Sequence, residues 1–384
     1  MRSRLHICFV CNELPPAPAG GIGPCVLTTA RHLSQLGHSV TVVGVYDADH
    51  AWDHSGIRVR PILRRPARHP RLARIARVVS DRVRLRRTLQ RIHQSQPIDI
   101  VEWPDFEGLY LGPVPGITDV VRNHGPIMSH RLYGLTKHRP HTEWLERRTL
   151  RAISNWIGVS TWFMNEWIRI TSARPRRTTV LYNPVDCELF EPGGRRRDDL
   201  IVYSGSLLER KGVFALARAA RQFLPRLPGT TLLLVGRDIS GDARKRIVSE
   251  AGPDAAQQIQ FSDPLPQREL ADLFRRCTIF AMPSLLESFG NVWAEAMASG
   301  APVLGSKLTC GPEVVPDGVA GILADPSDPP DIANHVVRLM NDSALRSRFG
   351  AAGRQIAIER YSTDVVIPKT VSFYHECLST ATVA

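Results

Sequence analysis

Short apolar runs recur along this chain, each ended by Gly, Pro or a polar turn. Between them lie segments whose apolar residues repeat at helical spacing. Short uninterrupted apolar runs read as buried strands, and strands that alternate with helices imply a parallel sheet. In the first half the pattern predicts strands at His6–Val10, Ser39–Val45, Ile98–Glu102, Asp119–Asn123, Asn155–Val159 and Thr178–Tyr182. Helices fit Pro24–Leu36, Thr142–Ala152 and Thr161–Thr171. The rhythm restarts at Leu200–Tyr203, with a helix ending near Phe223. Further strands follow at Thr231–Val235, Gln258–Phe261, Thr278–Met282 and Pro302–Gly305, then a last helix at Thr363–Cys377. The expected fold class is α/β, with two doubly wound Rossmann-like domains facing across a cleft. Residues 1–190 form the first and 198–363 the second. The charged, glycine-led stretch 193–199 is the linker. The C-terminal segment 364–384 is expected to pack back on the first domain.

One stretch stands out, Glu287 to Pro302. An apolar run, Ile279–Met282, stops at Pro283; Gly290 permits a tight turn; helix-favouring residues run from Asn291, and Gly300 with Pro302 ends them. The loop after a parallel strand, opening a helix, is where α/β proteins hold phosphates. The N–H groups of Phe289, Gly290, Asn291 and Val292 carry the positive end of the helix dipole there. Glu287 and Glu295 add two carboxylates that accept hydrogen bonds from hydroxyls. Anion-binding amides beside hydroxyl-binding carboxylates suit a nucleotide sugar. Two more loops follow strands. One is the glycine-rich Gly20–Gly23, including Gly21 and Gly23. The other is Gly205-Ser206-Leu207-Leu208-Glu209-Arg210-Lys211-Gly212. The first lacks the spacing of a dinucleotide fingerprint and reads equally as a structural turn or as a site.

Composition adds three points. At 384 residues the chain is long for one core, and no apolar run approaches a membrane span. The first ten residues are read as a strand rather than a signal peptide. Seven scattered cysteines fit free thiols in a reducing, cytoplasmic compartment; Cys8 and Cys11 are read as buried small residues on alternate faces. The net charge of +12 is partly local: eleven arginines and one acid, Asp81, lie between Arg64 and Arg91. Their spacing reads as a basic amphipathic helix. It is either a solvated surface or a peripheral contact with anionic membrane, and nucleic acid is disfavoured because interleaved aromatics are lacking. Asp47-Ala48-Asp49 follows a strand and is not read as a metal site. No metal and no cofactor are expected.

With its full string Pro283-Ser284-(x)2-Glu287-Ser288-Phe289-Gly290-(x)4-Glu295-Ala296-Met297-Ala298-x-Gly300-x-Pro302-Val303, the chain resembles the retaining glycosyltransferases of family 4, of GT-B fold. The Lys211 loop, Gly20–Gly23, His124-Gly125, Ser160, Asn183–Asp186, and Gly311-Pro312-Glu313 with Asp317-Gly318 and Gly321 are also similar. The resemblance implies roles. Lys211 pairs with the donor diphosphate. Phe289 to Val292 offer backbone donors. Glu295 holds the ribose hydroxyls, and Glu287 binds the transferred sugar. His124 lies near the reacting sugar, while Gly21 and Gly23 let their loop approach phosphate or acceptor.

One position departs from the family: Ser206 stands where arginine is usual. Either Arg210 compensates, or the phosphates are less neutralised. The implied activity is transfer of a hexose from a UDP- or GDP-sugar to a hydroxyl of a saccharide or lipid-linked saccharide, in surface polysaccharide or glycolipid synthesis. The alternatives are a GT-B sugar-nucleotide epimerase or glycogen-type synthase, and a non-catalytic nucleotide-binding protein of the same fold. An epimerase consumes donor without an acceptor, and a non-catalytic protein binds nucleotide without turnover.

Overall fold

The computed structural model describes residues 4–17, 20–50, 52, 54–64, 72–125, 128, 131, 134, 139–194 and 196–379, leaving aside the side chains of 72–77. The chain divides into two units. The first comprises Met1–Leu132, Thr136–Pro184 and Val366–Ala384; the second comprises Tyr133–Leu135 and Val185–Val365.

In the first unit the described strands are β1 (His6–Val10), β2 (Ser39–Tyr46), β3 (Ile57–Leu63), β4 (Ile100–Pro104), β5 (Thr118–Asn123), β6 (Asn155–Gly158) and β7 (Arg177–Val180). They form one parallel sheet in the order β3-β2-β1-β4-β5-β6-β7. Alternation along β1 sends Ile7 and Phe9 into one apolar layer, with Leu27, Ala30 and Tyr374. Cys8 and Val10 go into the other, with Leu85, Leu89 and Trp156. Cys8 and Cys11 fall in different layers, and all seven cysteines are free.

The helix Thr363–Ser379 is tied into this unit, from Val366 on, by a buried network. The Arg122 guanidinium donates twice to Glu102, at 2.8 and 3.1 Å, and the Tyr374 hydroxyl donates to Glu102 Oε2 at 2.7 Å. Arg122 and Glu102 are 2% and 4% exposed, so neither charge has water to fall back on. Tyr374→Phe keeps the shape but removes one donor from a buried carboxylate. It is expected to lower unfolding stability by about 1–3 kcal/mol, read by denaturant titration.

Two expectations need correction here. Arg64 is not helical: its N–H extends the β3 ladder to Tyr46 O, and its side chain pairs with Asp47 at 3.1 Å. The basic helix runs Leu72–Ser95, and 65–71 lie outside the described residues. Nor are all its arginines free for a surface. Arg82 is buried, bonding Gly108 O, Val78 O and Glu107 O; Arg84 and Arg86 donate to Leu63 O and Pro113 O. The helix expected from Pro24 begins earlier, at Ile22, so Gly23 lies inside it.

The second unit repeats the plan with β8 (Leu200–Ser204), β9 (Thr231–Val235), β10 (Ile259–Ser262), β11 (Ile279–Ala281), β12 (Val303–Ser306) and β13 (Gly321–Ala324). The parallel order is β10-β9-β8-β11-β12-β13. Chain direction across the sheet reverses at β8, whose neighbours are β9 and β11. The loops leaving those strands therefore diverge and leave room for a ligand. Among the described residues no helix is long and apolar enough to cross a membrane.

Candidate active site

The site is built where β8, β11 and β12 end. After β8 the chain makes the loop to Gly212, then the helix Val213–Phe223. Gly212 has φ +71, and a Cβ there would lie 1.8 Å from Pro283 O, so only glycine lets this loop lie against the one leaving β11. The two loops are then stitched together. Leu285 N and Leu286 N donate to Arg210 O, at 2.9 and 3.2 Å. The result is a short ion pair: Lys211 Nζ donates to Glu287 Oε1 at 2.5 Å. Ser284 Oγ donates to the same oxygen at 3.1 Å, and Glu287 N donates to Thr309 Oγ1, from the loop after β12, at 3.3 Å. The side chains of Lys211 and Glu287 are 18% and 6% exposed.

Burial pushes the Lys211 ammonium down from its usual range; Glu287 acts against this and the nearby Arg210 guanidinium adds to it. Among the described residues no acid pairs with Arg210. Ser206 contributes its carbonyl, which accepts the Tyr203 hydroxyl at 3.0 Å, and Gly205 N donates to Val235 O at 2.9 Å. Both residues shape the β8 loop through their backbones.

The second glycine that matters is Gly290. At φ +76 it opens the helix Asn291–Ala298, and a Cβ would lie 2.3 Å from the Trp293 ring. Trp293 in turn donates to Met282 O at 3.1 Å, fixing the helix to the end of β11. Val292 sits in the first turn, where N–H groups lack an intrahelical acceptor. The Phe289 side chain is fully buried and packs edge-on to Tyr361 at 5.2 Å between centroids, so only its backbone can meet a ligand. Glu295 is half-buried, and no hydrogen bond to its carboxylate is found among the described residues. Burial raises its pKa to about 7.

The remaining predicted residues belong to the first unit. His124 follows β5. Its N–H and that of Gly125 donate to the buried Asp105 carboxylate, at 3.0 and 3.1 Å. Burial, with the Arg122 charge, lowers the His124 pKa to about 3, so its imidazole is neutral. Burial raises Asp105 to about 8, opposed by the two amides and assisted by Glu146. Gly21 caps the helix Ile22–Gln35 and Gly23 lies in its first turn. Glu13 accepts from Ile22 N at 2.8 Å and Gly23 N at 3.0 Å. These amides already hold a carboxylate, so those two donors are not available to a ligand. Asp47 is engaged by Arg64, and Asp49 accepts from His50 N and Trp52 Nε1. Glu13, Asp105 and Thr309 position the site loops and were not singled out by sequence.

Comparison with known proteins bears on both halves. The family described as Glycosyltransferase Family 4 matches residues 19–189, and Glycosyl transferases group 1 matches 188–356. A D-inositol 3-phosphate glycosyltransferase of Thermobifida fusca is 32% identical over 203 residues, 48% of this chain and 47% of that protein. An MMP alpha-(1->4)-mannosyltransferase of Mycolicibacterium hassiacum is 29% identical over 237 residues, 61% of this chain and 57% of that protein. The chain thus spans about half the length of these curated relatives. Among solved structures, a sucrose-phosphate synthase from Thermosynechococcus elongatus superposes with a TM-score of 0.81 at 18% identity, over 98% of this chain and all of that one. Anabaena Alr3699/HepE in complex with UDP and glucose gives 0.74 at 18%, over 97% and 100%. These structures share the GT-B fold of two Rossmann-like units. The two family descriptions run end to end from residue 19 to 356, and the chain belongs to the group 1 glycosyltransferases of family 4.

Proposed function

We propose that this protein is a retaining glycosyltransferase that moves a hexose from a UDP- or GDP-sugar to a hydroxyl of a saccharide or lipid-linked saccharide. The observation that carries the reading is the Lys211–Glu287 pair at the switch point of the second sheet, beside the N-terminus of the helix Asn291–Ala298. A diphosphate gains charge as the sugar departs, and a preorganised cation stabilises that gain. Glu287 bonds sugar hydroxyls and faces the cationic character at the anomeric carbon. Arg210, free of any acid among the described residues, serves as the second cation that Ser206 does not supply. Glu295 takes the ribose hydroxyls, and the neutral imidazole of His124 bonds a sugar hydroxyl. The departing phosphate accepts the acceptor's proton, so the protein contributes position and field rather than a dedicated base. No metal is required in this reading. Of the two donors, the uridine one draws support from Alr3699/HepE, which was solved with UDP-glucose. Placement of the reaction in surface glycan synthesis, on the cytoplasmic side of a membrane, belongs to the same proposal.

The test is calorimetric titration of the whole protein with UDP, GDP and their sugars in metal-free buffer. Binding of one nucleotide in preference to the other is the expected result, followed by acceptor-dependent release of that nucleotide. Binding of neither, or turnover of the donor without any acceptor, overturns it.

A further inference from the structure

A second cluster of charge lies in the first unit, at the opposite end of its sheet from the loops that carry Gly21 and His124. Arg58 and Arg60 are two apart on β3 and so share a face of that edge strand. Thr88, Arg91, Ile92 and Ser95 line one face of the helix Leu72–Ser95, at spacings of three and four. The two faces, with Thr41 near the start of β2 and Gln96, enclose a pocket of ≈ 270 Å³.

Its chemistry is one-sided. Three guanidiniums and three hydroxyls line it, and no carboxylate does. None of the three arginines has an acid within ion-pairing distance among the described residues. Arg58 is held instead by neutral acceptors, Gln96 Oε1 and Ser39 Oγ, and Gln96 Nε2 donates to the same serine at 3.1 Å. Its orientation is therefore fixed while its charge stays uncompensated. The pocket wall is ordered as well: Thr41 Oγ1 bonds His6 Nε2 at 2.9 Å. Arg91 alone would be ordinary, since a cation near a helix C-terminus complements the dipole. Arg58 and Arg60 come from a strand, however, and share no such explanation. Like charges gathered around one concavity repel, and an oxyanion placed among them relieves that repulsion while accepting several charge-assisted hydrogen bonds.

We propose that this pocket is an oxyanion site, separate from the donor site, that takes a phosphate monoester or inorganic phosphate. Arg58, Arg60 and Arg91 are its cations and Thr88 its hydroxyl donor; the Ser95 hydroxyl already donates to Ile92 O at 3.0 Å. The inference does not depend on the glycosyltransferase reading, because it uses none of the residues assigned to the donor. The phosphate could be carried by a soluble ester or by a lipid headgroup, and the chemistry is the same.

The test is calorimetric titration of the full-length protein with inorganic phosphate, comparing wild type, Arg58→Gln/Arg91→Gln and Lys211→Met. These arginines lie on the surface, so the double variant is expected to fold; near-wild-type thermal unfolding checks this. Saturable phosphate binding, weakened at least about tenfold in the double variant and retained in Lys211→Met, is the expected result. Equal affinity in wild type and double variant overturns the proposal, as does binding lost only in a Lys211→Met protein that thermal unfolding shows to be still folded at the titration temperature, or none at all. Arginine side-chain NMR gives a second reading: the Nε–H signals of Arg58 and Arg91 must move with phosphate. Vesicles carrying phosphatidic acid then separate the sources. Co-sedimentation that fails in the double variant assigns the phosphate to a lipid. Phosphate binding without co-sedimentation assigns it to a soluble ester.

Discussion

Lys211→Met is expected to lower kcat by about 10²–10³-fold, the usual cost of removing one preorganised group facing charge that develops in the transition state. The same change has a second consequence. Lys211 and Glu287 hold each other at 2.5 Å, and Glu287 is 6% exposed. Deleting the cation leaves a nearly buried carboxylate that still accepts from Ser284 Oγ but has lost its counter-charge. Breaking one side of such a pair costs about 3–5 kcal/mol, so the single variant is also expected to unfold earlier. Loss of activity could then be mistaken for loss of fold. The double variant Lys211→Met/Glu287→Gln separates the two. It removes both charges, is expected to recover most of the stability, and is expected to stay inactive. Denaturant unfolding and turnover measured on the same three variants check this. A double variant that regains activity along with stability would show that the pair is structural, and would remove the diphosphate role from Lys211.

How much of this was legible in the sequence depends on how far the deciding contact lies along the chain. Central strands such as β1, β8 and β11 are buried on both faces, so their apolar runs announced them. β3 did not, because it is an edge strand: its sequence Ile-Arg-Val-Arg-Pro-Ile-Leu mixes charge and a proline that a central strand would reject. β13, Gly321–Ala324, is too short to show a pattern and is defined by its pairing with β12. The site followed the same division. The glutamates and Lys211 sit in a string whose turn glycines and helix signals are local. What orders them is not local. Thr309 reaches Glu287 across 22 residues, Asp105 holds the His124 loop from 19 residues away, and Glu13 closes the helix start from nine. Nothing in the local pattern marks those side chains, since an acid before a turn is ordinarily a solvated residue. The basic segment was misjudged for a related reason: arginine count says nothing about direction, and Arg82 turns inward to carbonyls that arrive from Glu107 and Gly108.

Donor affinity is expected to rise with pH through about 7, and Glu295 is the cause. Its carboxylate is half-buried without a hydrogen-bond donor among the described residues, and burial raises its pKa to about 7. Hydroxyls of a bound ribose would donate to it, and they stabilise the ionised form far more than the neutral one. Ligand binding and proton loss are therefore coupled. Below about pH 7 the donor must displace a proton, and affinity falls by up to about tenfold for each further unit of acidity. The sign for the unliganded fold is opposite. A carboxyl whose pKa is raised by folding binds its proton more tightly when folded. Glu295 therefore favours the folded state at low pH, and that contribution is lost as pH climbs from the unfolded value toward about 7. Nucleotide should thus protect against unfolding least in acid and most above neutrality. Glu295→Gln is expected to flatten this profile and to weaken binding by about ten- to a hundredfold at alkaline pH, where the charge-assisted bonds are lost. Titrating the preferred nucleotide into wild type and Glu295→Gln between about pH 5 and 8 reads both effects. If the variant keeps the wild-type slope, the titrating group is elsewhere and Glu295 does not hold the ribose. If the slope vanishes while tight binding remains, Glu295 faces the ligand without accepting from it.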